Sequence, residues 1–255
     1  MITSKTNPKI KNVVKLQKSS IRREQNRIII EGKREIERAV ACGFVVDTLF
    51  VCNEILKESI DIKASLVEEV SLEVFEKIAY REGSDGLLAV AIPKYADLKD
   101  FKPKKNPLII VLETVEKPGN LGAIMRTADA AGVDAVIIAD PRTDLFNPNA
   151  IRASIGTIFS VPLFACSSEE CIEWLKSNNI KIYCTYLKAS IDYLEADFRK
   201  GSAIVMGTEA TGISDIWVEA ADQNLIIPMN GIADSLNVSV TTAIVVFEAI
   251  RQRRI

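Results

Sequence analysis

From Leu108 onward, short β-branched apolar runs alternate with helix-like segments, and that alternation leaves few folds open. LIIVLE (108–113), VDAVIIAD (133–140), IKIYCTY (180–186), SAIVMG (202–207) and NLIIPM (224–229) have the length and composition of buried strands. Between and after them come LGAIMRTADAAG (121–132), a helical pattern around Cys171–Ser177, another near Ser214–Ala221, and the apolar VSVTTAIVVFEAI (238–250). Apolar strands separated by helices predict an α/β domain with a mainly parallel sheet covered on both faces. Ligands on such sheets bind beyond the carboxyl ends of the strands. Three loops leave strands at those ends, at 114–126, 207–214 and 228–239, whereas PRTDLFNPNAIRAS (141–154) reads as a long connecting loop.

The segment before Leu108 forms a second α/β pattern. The apolar RIIIEG (27–32) leads into KREIERAVACG (33–43), which reads as a helix ending at Gly43. VVDTLFVC (45–52) reads as a strand, VEEVSLEVFEKIA (67–79) as helical, and GLLAVAIP (86–93) as a strand closed by Pro93. PKYADLKDFKPKKNP (93–107) then breaks the periodicity with prolines and lysines. The expected division is a small α/β domain at 1–95, a linker at 96–106, and the parallel-sheet domain at 107–255.

Charge is distributed unevenly. Residues 1–38 hold eleven Lys/Arg against four Glu, while the rest of the chain holds 21 basic and 30 acidic residues. A basic N-terminal region on an acidic body suits local phosphate contact, although a solvated helix face would produce the same count. The apolar runs, such as Leu108–Leu112 and Ala243–Phe247, fall far short of the roughly 18 residues of a membrane span. MITSKTNPKIKN has no apolar core of a secretory signal, and the five cysteines show no C-x-x-C spacing, so a reduced, cytoplasmic chain is expected. There is no histidine. Ser-His-Asp and Cys-His nucleophiles and most zinc geometries are thereby excluded, and no metal is expected.

Each of the three loops has a bland reading. In EKPGNLGAIMR, Asn120 is placed as the N-cap of the following helix, with Arg126 on its first turns. In VMGTEATG, Gly207 and Gly212 permit turns around Glu209, without a Gly-Lys-Ser/Thr or a G-x-G-x-x-G pattern. In IPMNGIADSLNVSV (227–240), Ser235 or Asn237 would cap the final helix, at a mouth with few charges. Capping accounts for one such residue but not for the whole string.

The order N-x-G-x-x-x-R, G-T-E-x-x-G, I-P-M-x-G-x-x-x-S-L-N-V-S, with RASIG (152–156) between the first two, resembles the SPOUT class of RNA methyltransferases. The match is with its SpoU branch, the S-adenosylmethionine-dependent RNA ribose 2′-O-methyltransferases. The resemblance implies a deep trefoil knot in the C-terminal domain, a homodimer packed through it, and an N-terminal RNA-binding domain similar to a small ribosomal-protein fold. It places S-adenosylmethionine near Gly207, Ile227, Met229 and Leu236, and matches Asn120, Arg126, Glu209, Ser235 and Asn237 to the polar active-site positions. The implied substrate is a structured RNA, ribosomal RNA above transfer RNA, contacted partly by residues 1–38. A non-catalytic RNA-binding assembly factor and a Rossmann-type dehydrogenase are the competing classes, the latter lacking its glycine fingerprint.

Overall fold

The computed structural model describes residues 1–255 other than Glu58, Arg81, Glu82, Ala189, Glu209, Ala210 and Ile255. The described residues form two compact units, Met1–Lys94 with Asp144–Ser160, and Tyr95–Thr143 with Val161–Ile255.

The first unit runs α1 (Pro8–Lys15), α2 (Ser19–Gln25), β1 (Ile28–Glu31), α3 (Lys33–Ala41), β2 (Val45–Val51), β3 (Leu66–Glu69), α4 (Leu72–Ile78) and β4 (Leu87–Ile92). Its sheet has the order β1-β4-β2-β3, antiparallel except for the β2–β3 pair. VEE (67–69), expected to be helical, instead belongs to strand β3: its backbone pairs from Thr48–Leu66 to Val51–Glu69, and that ladder outweighs the weak local helical spacing. Ile10, Leu16, Phe50, Val74 and Phe75 build its core.

The second unit contains β5 (Leu108–Glu113), α5 (Pro118–Ala131) and β6 (Ala135–Ala139). The chain then contributes α6 (Pro148–Ala153) to the first unit. It returns as β7 (Leu163–Cys166), α7 (Ser168–Ser177), β8 (Lys181–Thr185), β9 (Ile191–Asp192), β10 (Ser202–Met206), α8 (Asp215–Ala220), β11 (Gln223–Ile226) and α9 (Val238–Arg253). The seven strands lie in the order β7-β6-β5-β10-β8-β11-β9, and every pair is parallel. β5, β6 and β10 are buried at every position, as strands covered on both faces must be.

The stretch expected to be one long loop, 141–154, contains α6 instead. Asn147 accepts from the Asn149 amide and Pro148 occupies the first helical position, so the Asn-Pro-Asn run that signals a loop is also a helix start. This segment is anchored within the first unit. The Arg22 guanidinium lies 2.7 Å from Asp144, with side chains only 3% and 8% exposed, and donates to the Leu16 and Gln17 carbonyls. Phe44 packs edge-on against Phe146 and Phe159. Arg38 donates to the Ile155 carbonyl. At Gly156, φ is +83° and a Cβ would come within 3.2 Å of the Glu35 backbone, so RASIG needs its glycine for conformation and for close packing.

Within 96–106, Leu98 is buried in the core of the second unit and Phe101 packs on Phe164 and Trp174.

The final helix is fixed at its carboxyl end. Arg253 donates to the carbonyls of Phe198, Asn106, Pro107 and Lys200, and Gln252 joins the Phe198 amide to the Ala196 carbonyl. Among the described residues, no helix is long and apolar enough to cross a membrane, and no cluster of three potential metal-ligating His, Cys, Asp or Glu side chains occurs.

Candidate active site

Two cavities open at the carboxyl ends of the parallel strands. The larger, about 500 Å³, lies beyond β8, β10 and β11. Met206 and Gly207 from the end of β10, Ile227 and Met229 after β11, and Leu236, Val238 and Val245 at the start of α9 supply its apolar wall. Ser235 lines it too. The smaller, about 230 Å³, lies beyond β5 and β6 and includes Thr114, Glu116, Lys117, Asn120 and Arg142. Gly207, Thr208, Thr211 and Val238 line both cavities, so one loop and one helix start separate them.

Gly207 is required by its packing. A Cβ there would lie 2.2 Å from the Gly212 carbonyl oxygen and 2.5 Å from the Ile213 amide nitrogen. The loop is pinched by reciprocal bonds, Thr208 N–H to Gly212 O at 2.9 Å and Gly212 N–H to Thr208 O at 3.1 Å. Gly212 itself has φ +71°. Glu209 and Ala210, between these paired residues, lie outside the described residues, and so does the expectation placed on Glu209.

Asn237 is the N-cap of α9: its Oδ1 accepts from the Ser239 amide at 2.9 Å and from the Ser239 hydroxyl at 2.6 Å. Its Nδ2 donates to Asn120 Oδ1 at 3.2 Å, joining the first and third motifs. Ser235 is not the cap. Asn120 does not cap α5 either. Lys117 is the N-cap residue and Pro118 takes the first helical position, where its missing N–H costs nothing, which moves Asn120 one turn in. Arg126, six residues further along α5, is exposed and lines neither cavity. Six residues advance a helix by about 240° beyond one full turn, so the two side chains leave on different faces.

The expectation of an almost uncharged mouth needs correction. Asp215, Asp234 and Lys188 line the larger cavity, together with Thr185 and Tyr186 after β8. Their approach depends on β8 and β11 being neighbours in the sheet, which linear order does not reveal. Beneath the cavity, burial first and then the carboxylates of Glu113 and Asp222 push the Cys184 thiol up to about 12, so it is no nucleophile at neutral pH.

A concave, largely apolar cavity of this volume suits a nucleoside-sized ligand. Main chain at Gly207 and along 227–236, two carboxylates and one ammonium group fit a molecule carrying a heteroaromatic base, a positive sulfonium, an amine and a carboxylate. S-adenosylmethionine has that donor and acceptor set.

An all-parallel sheet with two cavities at its carboxyl edge and a glycine loop pinched between them has the form of a ligand-binding α/β enzyme domain. Residues 107–247 match the SpoU rRNA Methylase family, and residues 7–89 match the MRM3-like substrate binding domain. The chain belongs to the SpoU rRNA Methylase family. It is 30% identical, over 96% of this chain and 97% of the relative, to the 23S rRNA (guanosine(2553)-2'-O)-methyltransferase RlmP of Bacillus subtilis (strain 168). A solved structure of an RNA 2'-O ribose methyltransferase is 40% identical, with a TM-score of 0.89 over 100% of this chain and 99% of the other. The AdoMet-bound rRNA methyltransferase from Sinorhizobium meliloti is 30% identical, with a TM-score of 0.89 over 98% and 97%.

Proposed function

We propose that this protein transfers a methyl group from S-adenosylmethionine to a ribose 2′-hydroxyl of ribosomal RNA. The observation that carries this reading is the shared wall: an apolar cavity of nucleoside size and a polar cavity divided only by the Gly207–Gly212 loop and the start of α9. S-adenosylmethionine, when bound, supplies a methyl group already activated by its sulfonium, so no metal is needed to make the electrophile. Gly207, Ile227, Met229 and Leu236 hold it in the larger cavity.

The chain's own residues then orient the acceptor. The Asn120–Asn237 pair offers amide donors and acceptors at the wall between the cavities, which positions a hydroxyl in line for displacement. Ser235 faces the donor side and, with Glu209, completes the polar set. Arg126, exposed on α5 and outside both cavities, offers its guanidinium fork to an RNA phosphate, while the proton leaves through Ser235 or water. Near-normal turnover by Arg126→Lys would refute a need for the guanidinium fork.

The same reading assigns residues 1–95 to RNA binding and 107–255 to methyl transfer. Within the basic region 1–38, Lys11, Lys15, Lys18 and Arg23 on and between α1 and α2 are exposed and meet the RNA, whereas Arg22 is buried against Asp144 and does not. A trefoil knot is supported by β10 inserting between β5 and β8, and by α9 packing back on α5 and β10. A homodimer is supported by Val240 and Phe247, which α9 leaves about half exposed. Free cysteines at all five positions support a cytoplasmic setting.

The deciding experiment maps 2′-O-methyl groups in ribosomal and transfer RNA from cells with and without the protein. Loss of one ribosomal mark is expected. Loss of a transfer RNA mark alone would move the substrate, and no change in either would overturn the reading.

A further inference from the structure

The polar cavity beyond β5 and β6 has chemistry that methyl transfer alone does not explain. Thr114, directly after β5, and Asp140, directly after β6, both hold positive φ, +48° and +50°. Non-glycine residues in that region are strained and persist where the surroundings impose them. The two turns bring the loops after adjacent strands face to face, and Arg142 Nη1 reaches Glu116 Oε1 at 3.1 Å across the gap. Both side chains are mostly exposed, at 66% and 60%, so the pair contributes little to folding. The fourteen-residue helix α5 starts at the same place, with Lys117 as its N-cap residue and no acidic side chain in its first turn. The Arg142 guanidinium, Lys117 and the N-terminal end of α5 therefore meet at one small cavity, where Glu116 is the one acidic side chain among the described lining residues.

We propose that this cavity binds a phosphodiester flanking the target ribose, with Arg142 as its principal ligand and Glu116 as the carboxylate that Arg142 leaves when RNA arrives. The assignment rests on the methyltransferase reading above. It gives the cavity its chemical occupant, since Thr208 on the shared wall then stands between the anchored phosphate and the methyl donor, with Asn120 lining the phosphate side. Arg142 is a positioning residue: it fixes the backbone of the nucleotide and touches neither the 2′-oxygen nor the donor. Glu116 competes with that phosphate for Arg142 and, because the pair is mostly exposed, is readily displaced.

The test uses the full chain and ribosomal RNA purified from cells lacking the protein. RNA retention on filters is measured across a salt series, KM for RNA in methyl transfer is measured alongside, and S-adenosylmethionine binding is followed by calorimetry. Arg142→Ala is expected to weaken RNA binding roughly tenfold and to lower the slope of log affinity against log salt by about 0.7 to 0.9, the loss of one phosphate contact. KM carries most of its kinetic loss, and cofactor affinity stays within about twofold, since the larger cavity is untouched. Arg142→Lys keeps the slope, and Glu116→Gln tightens RNA binding, a sign that a merely structural ion pair would not produce. A wild-type slope and KM in Arg142→Ala would overturn the proposal, as would a loss of cofactor affinity as large as the loss for RNA. If the wild-type chain methylates none of this RNA, the functional reading fails, and the salt slope still decides whether Arg142 holds a phosphate.

Discussion

Gly207→Ala tests whether the pinched loop makes the cofactor pocket. The added methyl would sit 2.2 Å from the Gly212 carbonyl oxygen, 2.3 Å from its carbon and 2.5 Å from the Ile213 nitrogen, where ordinary contact begins at 3.4 Å. All three neighbours are backbone, so no side chain can swing aside and the two arms of the loop must part by about 1 Å. Parting them opens the reciprocal Thr208–Gly212 hydrogen bonds of 2.9 and 3.1 Å. Two backbone bonds at about 0.5–1.5 kcal/mol each, with about 1–3 kcal/mol for overpacking, give a local cost of about 2–6 kcal/mol. Because the loop is the wall shared by both cavities, that cost is paid wherever the closed shape is needed. At the low end it weakens S-adenosylmethionine binding roughly 30-fold, at 1.4 kcal/mol per decade. Calorimetric titration with S-adenosylmethionine and with its demethylated product, beside a thermal melt, reads both outlets of the strain. Gly231→Ala is the control, since nothing lies within 4 Å of a Cβ there. A Gly207→Ala protein that binds cofactor within about threefold of wild type and melts at the same temperature would refute the reasoning.

Arg253→Ala removes the hydrogen bonds that one half-buried guanidinium gives to four carbonyls, three of which keep a bond from Ser202, and should cost about 2–4 kcal/mol and several degrees of melting temperature, with Lys a poor replacement because it lacks the fork. Asn237→Ala should lose about 1 kcal/mol of helix capping and most of the methyl transfer, whereas Asn237→Ser keeps the cap but cannot span to Asn120; a melt beside a turnover assay separates the two roles. Hydrogen bonding from Arg251 holds the Glu248 carboxyl below its ordinary value of 4.5, so its stabilisation is full above that pH and fades as pH falls through the folded value. The melting-temperature deficit of Glu248→Gln should therefore be largest near neutrality and shrink below about pH 4.5. With no histidine, wild-type melting should change little between about pH 6 and 8, and a steep step there would contradict the composition argument.

Legibility followed the physics of each element. The buried strands could be read because a strand covered on both faces must be apolar throughout, and LIIVLE and SAIVMG could be nothing else. β9, two residues at the sheet edge, and β3, four residues of mixed polarity, carry no such demand and were invisible. α6 was hidden by its own start signal, because Asn-Pro-Asn serves a turn as well as a helix cap. In the site, Gly207, Ile227, Met229, Ser235 and Leu236 share one cavity and Asn120 reaches Asn237, all from motifs whose spacing was visible. Arg126 lies on the exposed surface of α5, away from both cavities. Lys188, Asp215 and Arg142 were not legible, since their positions depend on which strands are neighbours, a property of tertiary order alone.

That order also explains why two cavities share one wall. β10 enters the sheet late in the chain yet lies between β5 and β8, so it divides β5-β6-β7 on one side from β8-β11-β9 on the other. Loops leaving the carboxyl ends diverge at such a switch point, and the space opened there is where open parallel sheets bind ligands. The loop after β10 stands at the divide and faces both spaces: toward β8 and β11 it meets the apolar cavity, toward β5 and β6 the polar one. On the proposed reading, a donor and an acceptor on either side of the Gly207–Gly212 pinch would be separated by little more than the backbone, and its first residue has no room for a side chain. Proximity here is a consequence of strand order, and the few polar side chains have only to orient what the topology has already made adjacent.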